Sequence, residues 1–149
     1  HEVRKVKGII MLRKELEEYL NLFFNIGIFK DMCPNGLQIE GKDQMMKVAT
    51  AVSADLSTLY ECVERKVDAL IVHHGIFWEK NPYPIVGVKK EKIELLLKNG
   101  ISLFAYHLPL DAHPIVGNNW RAAKELGWDN LKPFGEYEGN LIGVKGTFT

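Results

Sequence analysis

The segment DALIVHHGIFW, residues 68–78, decides the fold, because it joins a short aliphatic run to two histidines and a bulky apolar end. The run ALIVH at 69–73 shows no alternation of apolar and polar residues. Such a run is typical of a strand that is covered on both faces, as strands of parallel sheets are. The segment therefore predicts a buried parallel strand that ends at a pair of histidines.

Segments on either side extend this pattern. Buried strands are predicted at 47–54 and 101–107 because both runs are short and largely apolar. Amphipathic spacing, or residues that typically start and stop helices, predict helices after the three strands, at 56–66, 89–98 and 118–126. Asp55 is the expected N-cap of the first of these helices. Strands that alternate with helices indicate an α/β fold with a mostly parallel sheet flanked by helices.

The two ends of the chain are predicted from weaker patterns. Helical spacing of apolar residues begins at Leu12, and residues 1–10 are interpreted as a tag or an extension. The segment CPNGLQIEG at 33–41 and the polar segment 133–140 are predicted as turns, because they are rich in turn-forming residues. A final strand is predicted at 141–148, so that the domain occupies residues 11–149.

Composition narrows the function classes. The chain has 149 residues, 46% of them hydrophobic, and its 19 basic and 19 acidic residues give a formal net charge of zero. This balance makes nucleic acid an unlikely partner, since binding to phosphate backbones depends on accumulated Lys and Arg. No apolar run approaches the ~20 residues that a membrane helix needs. The sequence therefore predicts no membrane partner. Cys33 and Cys62 form no CxxC motif, which favours a reduced, cytoplasmic protein.

The histidines lie where a ligand site is expected. His73 and His74 close one predicted strand, His107 closes the next, and Asp111 follows four residues later. The carboxyl ends of neighbouring parallel strands, about 5 Å apart, share one edge of the sheet. Imidazole and carboxylate are common ligands of Zn, Mn, Fe and Ni, so the pattern predicts a metal site. Because adjacent side chains on a strand point to opposite faces, His73 and His74 are not expected to bind one ion together unless the backbone turns there. If two metal ions lie side by side, each histidine could hold one.

Other interpretations of these residues stay open. A single histidine at a strand end is more often a hydrogen-bonding residue than a ligand. The chain has no GxSxG or Walker-type motif, and Ser53 and Ser102 are interpreted as ordinary strand residues. His113, next to Pro114, is a candidate for contacting substrate or shuttling a proton, and equally an ordinary loop residue.

The sequence resembles a known family, the GTP cyclohydrolase 1 type 2 homologs, also called Nif-three-like proteins. The resemblance covers about residues 12–149. It is specific because the VHHG and FW elements occur together with HLPLDAHP in the same order and separation. The matching stretches are PNGLQIEG (34–41), DALIVHHGIFW (68–78), GISLFAYHLPLDAHP (100–114) and GNN (117–119).

The resemblance implies a metal protein with two related α/β lobes. Family members bind a pair of divalent ions and assemble as toroidal hexamers. Carried over by motif, His73, His74 and Asp111 are expected metal ligands, and His107 is a further ligand or a group that orients one. The family completes its site with a His and a Glu from a C-terminal GH…E segment that this sequence lacks. The chain is therefore expected to be the N-terminal lobe, truncated at its C-terminal end.

The resulting functional prediction is a dinuclear metal-dependent hydrolase whose substrate is a nucleotide such as GTP. Two metal ions per full-length chain are expected, in a homohexamer. The alternative is a metal-binding or ring-forming interaction protein without turnover. A third interpretation is an isolated lobe that is folded but inert, because the rest of the site is missing. Metal-dependent turnover would distinguish the hydrolase from the other two.

Overall fold

The computed structural model describes residues 10–148 and alternates strands with helices. A short 3₁₀ helix, Ile26–Ile28, follows the first α-helix. In chain order the elements are β1 (Met11–Leu12), α1 (Arg13–Phe23), β2 (Gly36–Ile39), β3 (Gln44–Met45), β4 (Val48–Ser53), α2 (Leu56–Glu64), β5 (Ala69–His74), α3 (Gly87–Asn99), β6 (Ser102–Ala105), α4 (Leu108–Ala112), α5 (Asn118–Glu125), β7 (Asp129–Tyr137) and β8 (Asn140–Thr147).

A four-stranded sheet with the order β2-β6-β5-β4 forms the centre. Strands β4, β5 and β6 are parallel, with Ala51 opposite Val72 and Val72 opposite Ala105. Strand β2 runs antiparallel to β6 at one edge. The predicted α/β class with a mostly parallel sheet is confirmed. Strand β5, which ends at the two histidines, is the direct neighbour of β6, which precedes His107.

Helices cover both faces of this sheet, which explains the unbroken apolar runs. On one face, Leu70 of β5 and Leu103 of β6 pack with residues of α2 and α3 in one buried cluster. On the other face, Phe104 and Tyr106 pack with Leu16 and Leu20 of α1. Because successive strand residues serve opposite cores, no position along β6 is left for a polar side chain facing water.

Local signals set two helix ends, and the predicted N-cap Asp55 is confirmed. The Asp55 carboxylate accepts a hydrogen bond of 2.8 Å from the Thr58 amide and caps α2. Helix α3 ends at Gly100, whose φ of 61° lies in the left-handed region that glycine adopts without strain. These ends return the chain to the start of β5 and β6, so that both strands finish at the same edge.

Two turn predictions were wrong. Part of the segment predicted as a turn at 33–41 is strand β2, which pairs with β6 through Leu37 opposite Phe104. The segment 133–140 belongs mainly to β7, which pairs with β8 in a separate two-stranded ribbon. Nearly all of β7 is exposed, so it carries no hydrophobic period that would mark it as a strand.

Most of the segment interpreted as a tag or an extension, residues 1–10, lies outside the described residues. None of the helices within residues 10–148 is both long and apolar enough to cross a membrane.

Gly41 is expected to tolerate no side chain. A Cβ atom there would lie 2.4 Å from the Gly100 carbonyl oxygen and 2.5 Å from the Ser102 amide nitrogen, both backbone atoms. Since backbone cannot rotate away as a side chain can, Gly41→Ala should lower the free energy of unfolding by about 1–3 kcal/mol. Denaturant unfolding measures this. Gly27→Ala, where nothing lies within 4 Å of the added atom, is the control and should stay within about 0.5 kcal/mol of wild type.

Candidate metal centre

Three imidazoles meet at the carboxyl edge of the sheet. One ring nitrogen from each of His73, His74 and His107 lies within 4.8 Å of the other two. His73 and His74 end β5, and His107 follows β6. The pairing of β5 with β6 brings these distant parts of the sequence together. We call the three residues the histidine cluster.

Each member of the histidine cluster has its Nδ1 atom engaged on the protein side. His73 Nδ1 lies 3.1 Å from the Tyr106 carbonyl oxygen, and His107 Nδ1 lies 2.9 Å from Asp31 Oδ1. Both oxygens only accept hydrogen bonds, so these Nδ1 atoms carry the proton. His74 Nδ1 lies 3.2 Å from the Ser53 hydroxyl, which can donate or accept. The Nε2 atoms are therefore the nitrogens left to bind a ligand.

The two adjacent histidines are closer than the alternation of strand side chains predicts. The ring centroids of His73 and His74 are 4.4 Å apart, and both rings contribute a nitrogen to the histidine cluster, so the alternation of strand side chains does not keep the two rings apart here. Both residues lie at the last positions of β5 and are followed by Gly75. One ion can therefore reach both side chains.

The electrostatics favour the neutral form of His74. Burial lowers its pKa, the nearby His73 and His107 lower it further, and the Asp111 carboxylate partly opposes them. A histidine binds metal through the lone pair of a neutral ring. His74 is thus already in its ligating form at a pH where an ordinary imidazole begins to take up a proton.

Asp111 adds a carboxylate to the edge of the histidine cluster. Its Oδ1 atom lies 3.6 Å from His73 Nε2 and accepts a 2.9 Å hydrogen bond from the Asn118 amide group. Asp111 lies in the short helix α4, which begins directly after His107. The four residues predicted as metal ligands, His73, His74, His107 and Asp111, thus lie around one place, while their role as ligands stays a prediction.

The donor set fits a divalent metal ion. Two imidazole nitrogens bound tetrahedrally to one zinc ion are about 3.3 Å apart, so the cluster needs small side-chain shifts to bind one ion. Three imidazoles and a carboxylate form a set that suits Zn, Mn, Fe or Ni.

Trp78 forms one wall of the centre. Its ring meets the His107 ring edge to face, with centroids 5.0 Å apart, and lies 5.8 Å from the His74 ring. Gln38 of β2 accepts a 2.9 Å hydrogen bond from the Ile76 amide, and so fixes the turn that follows the two histidines. An apolar ring beside the imidazoles limits the access of water to that side.

Sequence reasoning missed the residues that support His107. Asp31 and Asn35 bracket the start of the segment that was predicted as a turn, and both contact the His107 region. Their spacing, with an acidic and an amide residue four positions apart, is too common to indicate a site. Only the antiparallel pairing of β2 with β6 reveals that they lie beneath a histidine of the next strand.

His113 makes contacts of another kind. Its ring stacks on Phe23 with centroids 4.4 Å apart, and its Nδ1 atom accepts hydrogen bonds from the Ile115 and Val116 amides. These contacts join α1 to the loop before α5. The structure does not include His113 in the histidine cluster, and its contact with substrate stays a prediction.

Curated relatives share most of this chain but are longer. A protein of Chlamydia pneumoniae named GTP cyclohydrolase 1 type 2 homolog is 48% identical over 136 residues, covering 91% of this chain and 54% of the relative. A protein of the same name from Yersinia pestis is 44% identical, covering 90% of this chain and 57% of the relative. The chain therefore spans about half the length of the curated relatives it matches.

Solved structures with the same fold are also about twice as long as the part that this chain matches. TTHA1606 from Thermus thermophilus superposes with a TM-score of 0.80 at 49% identity, over 83% of this chain and 51% of that one. Reduced HcgD from Methanocaldococcus jannaschii superposes with a TM-score of 0.76 at 26% identity, over 85% of this chain and 51% of that one. The sequence profile of the family Duf34/NIF3 (NGG1p interacting factor 3) matches residues 11–149. With the match extending over nearly the whole sequence, this chain belongs to the Duf34/NIF3 family.

Proposed function

We propose that the histidine cluster and Asp111 bind divalent metal, and that the full-length protein is a dinuclear metal-dependent hydrolase. The observation that carries this proposal is the convergence of three imidazoles whose Nδ1 atoms are held by the protein. Histidines that serve only as hydrogen-bonding residues have no need to bring their ring nitrogens within 4.8 Å of one another. Metal-binding histidines typically have this arrangement.

In this proposal each residue has a defined task. His73, His74 and Asp111 hold metal, and His107 is a further ligand or orients one. A divalent ion held by these residues would supply Lewis-acid chemistry and the activation of water. Trp78 excludes water from one side of the centre, since its ring covers His107. The name of the relatives, GTP cyclohydrolase 1 type 2 homolog, supports a nucleotide such as GTP as substrate.

The test is turnover by the full-length protein that carries this chain. Elemental analysis should find about two divalent ions per chain, as in other two-metal hydrolases. Hydrolysis of GTP should stop after metal is removed by a chelator and return when Zn²⁺ or Mn²⁺ is added. Metal binding without turnover of any nucleotide would reject the hydrolase and favour the alternative, a metal-binding or ring-forming protein in the cytoplasm.

Self-association is a second part of the proposal, and a homohexamer is the expected assembly. Phe77 and Trp78 are partly buried and pack against the core, so they leave little apolar surface for association. The neighbouring residues Tyr83, Ile85 and Val86 are 95%, 54% and 67% exposed. Exposed apolar residues close together favour association. Light scattering should therefore find particles larger than the 17.0 kDa chain, and a uniform monomer would contradict this prediction.

A further inference from the structure

We propose that Asp31 is the positioning residue that fixes the tautomer and orientation of His107, so that its Nε2 atom is presented to metal. This inference rests on the proposed metal-binding function. Asp31 lies in the loop before β2, 76 positions away from His107 in the sequence, and its side chain is 2% exposed. A buried carboxylate in contact with one member of the histidine cluster needs an explanation beyond the packing of the loop.

Four donors surround the Asp31 carboxylate. Oδ1 accepts from His107 Nδ1 at 2.9 Å and from the Cys33 amide at 3.2 Å. Oδ2 accepts from the Leu108 amide at 2.9 Å and from the Asn35 side chain at 3.0 Å. With four donors around two oxygens, no position remains for a proton on the carboxyl group. Asp31 is therefore ionised, and His107 Nδ1 carries the hydrogen.

The same contacts fix where His107 lies. Asn35 accepts a 2.7 Å hydrogen bond from the His107 amide through its Oδ1 atom, while its amide group donates to Asp31. Two successive backbone amides are thus bonded to the same loop. The His107 amide donates to Asn35, and the Leu108 amide donates to Asp31. The His107 ring, held at Nδ1 and at the backbone on both sides, therefore has little freedom to turn.

Chemically, this contact makes His107 a better ligand. A carboxylate that accepts the Nδ1 proton favours the tautomer with a lone pair on Nε2 and increases the basicity of that nitrogen. Within residues 10–148, neither of the other two cluster histidines has a carboxylate on its Nδ1 atom: His73 contacts a backbone carbonyl and His74 a hydroxyl. Asp31 therefore sets His107 apart within the cluster.

The test begins with the tautomer in the metal-free protein. At about pH 8, where an ordinary imidazole is neutral, long-range ¹H–¹⁵N NMR correlations distinguish the protonated ring nitrogen from the one with a lone pair. His107 should be the Nδ1–H tautomer in wild type. Asp31→Asn places an NH₂ group against two donors in either orientation, and should convert His107 to a mixture or to the Nε2–H form.

Asp68→Asn is the matched control. Asp68 is also a buried carboxylate that accepts two backbone amides, from Met46 and Lys47, but it contacts no histidine among the described residues. Both variants receive the same isosteric change. Titration with Zn²⁺ alone should show an affinity ~10–100-fold weaker for Asp31→Asn than for wild type, and no change for Asp68→Asn.

The outcomes separate the two proposals. An Nε2–H tautomer in wild type overturns the role of Asp31, and so does an unchanged tautomer in Asp31→Asn. Because the wild-type measurement needs neither metal nor a variant, it decides even if Asp31→Asn fails to fold. The Nδ1–H tautomer together with an absence of Zn²⁺ binding would reject the metal site, while the contact between Asp31 and His107 would stand.

Discussion

Replacement of His74 by alanine is expected to weaken divalent metal binding by more than about 100-fold, the upper end for removal of a group that only supports a ligand. The change removes one of three imidazoles that converge within 4.8 Å. His73, His107 and Asp111 remain, and water takes the vacated coordination position. Water holds a metal ion less tightly than an imidazole does. Calorimetric titration with Zn²⁺ or Mn²⁺ measures the affinity. Thermal unfolding of the metal-free variant verifies that the fold is retained.

His113→Ala is the control for that experiment, because it removes an imidazole outside the histidine cluster. The His113 ring stacks on Phe23, so its loss should lower stability by about 0.5–1.5 kcal/mol. Metal affinity should be unchanged. His74→Ala should therefore lose metal affinity, whereas His113→Ala should lose stability and keep its metal affinity. Equal metal affinity in His74→Ala and wild type would reject His74 as a ligand.

Asp68→Ala should be among the most destabilising single changes outside the hydrophobic core. The Asp68 carboxylate accepts hydrogen bonds of 2.7 Å and 2.9 Å from the Met46 and Lys47 amides, and it pairs with Lys42. The residue is 6% exposed, so the two amides lose their acceptor in a place with little water. Two unsatisfied buried donors cost about 2–5 kcal/mol in total. Denaturant unfolding at neutral pH measures the loss.

The contribution of Asp68 should depend on pH in one direction. Burial alone would raise the pKa of this carboxyl, but Lys42 and the two amides outweigh burial and hold the pKa below its ordinary value. Ionised Asp68 therefore adds stability above the pKa of the unfolded chain, about 3.9. That stability is lost as the pH falls through the lower folded pKa. The difference between wild type and Asp68→Ala should accordingly shrink in acid.

Asp43→Ala is the control for a lost surface carboxylate. The Asp43 side chain is 82% exposed and its ion pair with Arg13 lies at the surface. Its replacement should change the free energy of unfolding by less than about 0.5 kcal/mol. A loss in Asp68→Ala no larger than this would show that water satisfies the Met46 and Lys47 amides.

The parallel core and the edge that carries the histidines could be predicted from the sequence because burial on both faces leaves a plain signal. Leu70 and Phe104 are fully buried on opposite faces, and their strands contain only apolar or small residues before the histidines. Once two such strands are placed side by side, the histidines that end them share an edge. The approximate position of His73, His74 and His107 follows from that reasoning.

The supporting residues could not be predicted, because their roles depend on pairings between distant parts of the chain. Asp31 and Gln38 lie in or next to a segment that has the residue types of a turn, yet part of that segment is an antiparallel edge strand beside the site. The β7–β8 ribbon was missed for the opposite reason, since its exposed residues show no burial pattern. Local sequence carries neither kind of information.

The long-range contacts of the histidine cluster also determine when it can form during folding. The contacts of His73 and His107 join residues 33 and 76 positions apart, so large loops must close before these contacts form. In the unfolded chain only the adjacent His73 and His74 are near each other. A metal ion that needs the complete cluster therefore has little affinity for the chain before the sheet has assembled. Such an ion would slow unfolding more than it would accelerate folding.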